Sequence, residues 1–139
     1  MNDVGAPPAG NVAAPVTAPK QKNPLLAAIG SFFIPGLGQV YNGEGFVKGL
    51  LYFIGALIGY IVLFLPGLVI WLYGIYNAYS VAKKINEGLI PYKETTTMNL
   101  AIYIIIALVI YVIYFIVIMV VAAIIAAFVF GMTGGAYNY

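Results

Sequence analysis

The side chains that could do chemistry in this chain are few, and most of them fall in or near one stretch, Ile34–Gly49 (IPGLGQVYNGEGFVKG). It holds Pro35, Gly36, Gly38, Gln39, Tyr41, Gly43, Glu44, Gly45, Lys48 and Gly49 between two strongly apolar runs. Glu44 stands four residues before Lys48, the favourable orientation for an ion pair on a helix. Gln39 and, further on, Asn77 carry amides that would find hydrogen-bond partners across helices. Beyond that the inventory is thin. Without His the usual general base and commonest metal ligand are missing. Without Cys there is no disulfide, thiolate metal site or thiol nucleophile. The four acids, Asp3, Glu44, Glu87 and Glu94, stand apart, so no carboxylate pair is set up for acid–base work. PGLGQVYNGEG has the glycines of a phosphate cradle but lacks the Lys-Ser/Thr ending and a preceding strand. The chain is not expected to be an enzyme, and no cofactor or metal is expected.

The elements around this stretch must be membrane elements. Charged residues make up 7% of the 139 residues, and the mean hydropathy is +1.02. A soluble core of this size could not hide that much apolar surface. A net charge of +2 and the absence of Arg give no nucleic-acid surface. The expected partners are the lipid bilayer and either further copies of the chain or other membrane proteins.

Residues 1–21 are rich in Pro, Ala and Gly, have no period, and read as a disordered cytoplasmic tail. Asn23-Pro24 is a helix start, an N-cap followed by Pro at the first helical position. The helix Pro24–Ile34 would measure roughly 16 Å, about half of a ~30 Å hydrocarbon core. Pro35-Gly36 ends it, and Leu37–Tyr41 does not read as a continuation. A re-entrant or in-plane half-helix is preferred over a kinked full span. Phe46–Lys84 is too long for one crossing, so the run should fold at Pro66-Gly67 into two helices, Phe46–Leu65 and Pro66–Glu87. Lys83 and Lys84 suit the last turn of the second, and Gly88 its stop.

Gly45 and Gly49, and Gly55 and Gly59, have the GxxxG spacing, and Gly67 and Gly74 share a helix face. Such residues let helices approach closely, inside the hairpin or between copies. Residues 89–99 form a polar loop in which Thr95, Thr96, Thr97 or Asn99 could cap the next helix. Residues 100–132 then form a long third transmembrane helix, with Ala122, Ala123, Ala126 and Ala127 as a small-residue face, Gly131, Gly134 and Gly135 as its end, and a short tail over 133–139 with interfacial tyrosines. The fold class is thus an all-α integral membrane protein: half-helix, helical hairpin, third long helix.

Topology follows from charge. Lys20, Lys22, Lys48, Lys83, Lys84 and Lys93 share one side only if the first segment is re-entrant. The positive-inside rule makes that side cytoplasmic, leaving a multi-pass cell-membrane protein with its N-terminus in the cytoplasm and its C-terminus outside.

Residues 22–88 resemble the two-transmembrane hairpin (TM2) domain family, in its prokaryotic and archaeal branch. The likeness is carried by KNPLLAAIGSFFIPGLGQVYNGEGFVKGLLYF and IWLYGIYNAYSVAKKIN. It implies a hairpin domain with no agreed biochemical activity, and it departs from the family at Asn77, where Asp is frequent. The function expected is a small multi-pass membrane component, structural or interacting rather than catalytic. The alternative is a channel or transport subunit, with Gln39, Tyr41 or Asn77 facing a path.

Overall fold

The computed structural model describes residues 19–134. Most of the expected N-terminal tail (1–18) and the closing segment 135–139 lie outside the described residues. Five helices and no strand occur among the described residues: α1 (Pro24–Phe33), α2 (Leu37–Tyr41), α3 (Phe46–Val62), α4 (Phe64–Asn86) and α5 (Thr97–Gly134).

α1 begins as its sequence dictates. The Asn23 side chain accepts from the backbone N–H of Leu25 and of Leu26, and Pro24 occupies the first helical position. The Pro35-Gly36 break stops it. Gly36 sits at φ +87, a left-handed conformation that a side chain would strain, and the chain reverses there. Contrary to expectation, Leu37–Tyr41 is helical: once the chain has turned, α2 runs back toward the start of α1. The Tyr41 hydroxyl accepts from the Asn23 N–H at 3.0 Å, and its carbonyl accepts from Lys22 Nζ at 2.8 Å. The way into the α1–α2 pair and the way out of it therefore lie side by side.

α3 and α4 pack antiparallel. A Cβ on Gly59 would lie 2.6 Å from the Cα of Gly67, so the two backbones touch there. Further along, Gly55 faces Ile70 and Gly74 faces Tyr52. The hairpin corner is one residue, Leu63, in an extended conformation, three positions earlier than expected from Pro66. Pro66 is the third residue of α4. Its missing N–H is one of the four that a helix start leaves unpaired anyway, so it belongs inside the first turn, not at the corner. α3 is consequently 17 residues, not 20, and measures roughly 26 Å.

Among the described residues two helices are long and apolar enough to cross a membrane: α4, and α5 over Thr97–Met132, the latter with a mean hydropathy of 3.3. α5 starts at Thr97, where the Thr96 carbonyl accepts from Asn99 and Leu100. It does not stop at Gly131, which lies within the helix. A glycine weakens a helix interior by about 1 kcal/mol without ending it. At 38 residues α5 measures roughly 57 Å, longer than a bilayer with its headgroups. Its first half packs on α2 and α3 through Tyr103, Ala107 and Tyr111. Every residue from 115 to 132 is exposed.

Candidate functional site

The predicted signature residues converge where the α1–α2 break meets α4 and α5. Gln39 lies at the centre and is fully buried. Its Oε1 accepts from Ser31 Oγ at 3.1 Å. Its Nε2 donates to the Gly74 carbonyl at 2.7 Å and, at 3.4 Å, to Asn77 Oδ1. Ser31 Oγ in turn accepts from the Gly38 N–H at 3.0 Å. One turn on, buried Asn42 donates to the Ala78 carbonyl at 2.7 Å. An amide buried among helices is costly unless paired: α1 and α4 pair both ends of Gln39, whereas on Asn42 only Nδ2 is paired and the buried Oδ1 has no partner among the described residues.

Gly36 and Gly49 set the close approach of α2 to α3. A Cβ on Gly36 would fall 1.9 Å from the Gly49 carbonyl oxygen. Gly38 is equally confined, beneath the Ala27 carbonyl and the Ala78 side chain. Gly43, at φ +79, lies against Lys93. Gly45 does not form a helical pair with Gly49: it precedes α3, at φ +108, with open space around it.

The C-terminal carbonyls of α1 need partners of their own. A helix leaves its last carbonyls without internal donors, and here side chains reach those of α1 and of the turn after it. Three aromatic side chains supply donors. Trp71 Nε1 reaches the Phe32 carbonyl at 3.0 Å, Tyr111 Oη the Phe33 carbonyl at 3.2 Å, and Tyr103 Oη the Pro35 carbonyl at 2.8 Å. Thr95 Oγ1 is placed to do the same for α2, at 2.9 Å from the Val40 carbonyl and 3.0 Å from that of Tyr41. Thr95 is thus spent on α2 and does not cap α5.

The lysine-bearing end is equally well tied. The Lys22 N–H donates to Asn86 Oδ1 and its carbonyl accepts from Asn86 Nδ2, which fastens the start of α1 to the end of α4. Lys22 is only 6% exposed, with its ammonium over the rings of Tyr41 and Tyr92. Burial pushes its pKa below the ordinary lysine value, and nearby Glu94 partly opposes that shift. Lys20 pairs with Glu94, Lys48 with Glu44, and Lys83 with Glu87. Ala123 and Ala127 lie far from this cluster on the exposed half of α5.

Sequence reasoning found Gln39, Tyr41, Asn77 and the glycines. It missed Ser31, Asn42, Asn86, Trp71, Tyr103 and Tyr111 as partners. A polar atom in an apolar run signalled the first two, but the aromatic donors have no local signal, because what selects them is a distant carbonyl. The assembled groups are amides, hydroxyls and an indole that hold one another. Among the described residues no three His, Cys, Asp or Glu side chains gather as a metal site would require. Comparison with family models, curated proteins and solved structures finds no match to this chain.

Proposed function

We propose that the chain is a multi-pass integral membrane protein, with α1–α2 as a re-entrant pair, α3 and α4 as a membrane hairpin and α5 as a further span. In this reading it is a non-catalytic component that binds a second copy of itself or another membrane protein. Its likeness to the TM2 hairpin family, on Pro35, Gly36, Gly38, Gln39, Tyr41 and Gly43, fits that assignment. The side-by-side placement of Lys22 and Tyr41 supports the re-entrant pair. It also puts Lys20 and Lys22 at the end of the bundle that holds Lys83, Lys84 and Lys93, in keeping with a cytoplasmic N-terminus and an outside C-terminus.

One observation carries the interaction role: every residue from 115 to 132 of α5 is exposed. Ala122 and Ala126, and Ala123 and Ala127, are spaced i, i+4 there, which lets a second helix approach closely. A channel role has less support, since fully buried Gln39 spends its amide inside the bundle and the Tyr41 hydroxyl is taken by Asn23.

Purification of the full chain in mild detergent tests the reading. Dimers or larger assemblies, or a stoichiometric membrane partner, are expected, and Ala123→Ile with Ala127→Ile should dissociate them. A monodisperse monomer with no co-purifying partner overturns it. For the orientation, a reporter fused after Tyr139 should be active only outside the cytoplasm.

A further inference from the structure

α1 is short and α5 is long, and the two are held apart by α2. Between them runs a cleft of about 180 Å³, lined by Leu26, Gly30, Leu37, Tyr41, Leu100 and Ile104. The lining is apolar, and its one hydroxyl, on Tyr41, already accepts from Asn23. A helix with its side chains is about 10–12 Å across and has no room in such a space; a single hydrocarbon chain has.

The Tyr41 end of the cleft is positively charged. Lys22 Nζ stands 5.1 Å from the Tyr41 ring centroid and 4.7 Å from that of Tyr92, with Lys20 Nζ 6.0 Å from the latter. Glu94 opposes them, paired with Lys20, so two lysines face one acid and this end keeps an excess of one positive charge. The Lys20 ammonium is largely exposed and is free to turn to another anion. Basic clusters beside a cleft between membrane helices suit anionic head groups.

We propose that the α1–α5 cleft binds one anionic phospholipid, an acyl chain between Leu26 and Ile104 and the phosphate at the Lys20 and Lys22 end. The proposal rests on the membrane reading above. Apolar lining alone would take any lipid chain. The charge at the Tyr41 end is what selects the anionic one.

The full chain, placed in nanodiscs of equal parts phosphatidylglycerol and phosphatidylcholine and then re-extracted, is weighed by native mass spectrometry. One retained phosphatidylglycerol per chain is expected. Lys20→Gln should lower the preference for it by about fivefold, the worth of one lysine at a membrane surface. Ile104→Trp, which fills the cleft, should lose the lipid altogether, and Leu100→Trp serves in its place where that variant does not fold. Equal retention of the two lipids, or a cleft-filling variant that holds lipid as the wild type does, overturns the proposal. A chain that fails to partition into membranes overturns the membrane reading itself. One that partitions but carries no lipid overturns only the cleft site.

Discussion

Tyr103 and Pro35 are 68 residues apart in sequence and joined by one hydrogen bond, buried, from the Tyr103 hydroxyl to the Pro35 carbonyl at 2.8 Å. α5 is keyed by it to the turn between α1 and α2. Phe46 packs edge-on against the same ring, so α3 shares the joint.

Tyr103→Phe keeps the ring and strands the carbonyl. It should destabilise the folded chain by about 1–2 kcal/mol. Tyr111→Phe, whose bond to Phe33 is longer and more exposed, should cost less. Thermal melting in detergent gives the ranking, and no loss for Tyr103→Phe would mean that Tyr103 acts through its ring alone.

Gly67→Val should disrupt the hairpin. Its new Cβ would sit 2.5 Å from the Tyr60 nitrogen, and neither backbone has room to yield. Gly131→Ala is the matched control, with nothing within 4 Å of its Cβ, and should be neutral or slightly stabilising. Protease resistance of the purified variants separates the two outcomes.

Gln39→Leu should be far more damaging than Asn77→Leu. The first removes the partner of Ser31 and of Gly74, leaving buried polar groups unpaired at about 1–3 kcal/mol. The second loses only a 3.4 Å contact. If Asn77→Leu instead abolished solute flux in liposomes while the chain stayed folded, a transport role would return to the front.

Lys22 makes stability pH-dependent in a defined direction. Its folded-state pKa lies below the unfolded value of 10.5. Between the two, the unfolded chain holds the extra proton, so stability rises as pH climbs through that window and is lowest, and flat, beneath it. Melting of wild type and of Lys22→Met, followed from about pH 8 to about pH 11 across the lysine range, should differ by that rise. A wild-type curve parallel to the variant's would place the burial penalty elsewhere.

Much of this architecture is legible in the chain. Length arithmetic and the Pro35-Gly36 break point to a short first helix, and Asn23-Pro24 marks its start, as in α1. The illegible part depends on packing across distance. The helicity of Leu37–Tyr41 follows the reversal at Gly36 and the donors that Thr95 and Lys22 bring to its end. The corner at Leu63 is misplaced by sequence reasoning because a proline signals a break nearby without saying on which side of itself. Gly131 misleads because a terminator is only effective where something favours stopping, and α5 is apolar on both sides of it.

The order of synthesis adds a consequence to the aromatic donors at the end of α1. α1 and the turn after it are completed by groups that come much later in the chain: Trp71, then Tyr103 and Tyr111. Until α5 forms, the Phe33 and Pro35 carbonyls lack the donors that the finished fold gives them, although α4 already holds the segment through Gln39, Trp71 and Asn86. α5 is thus the element that completes the joint, a latch closing last on a turn made first.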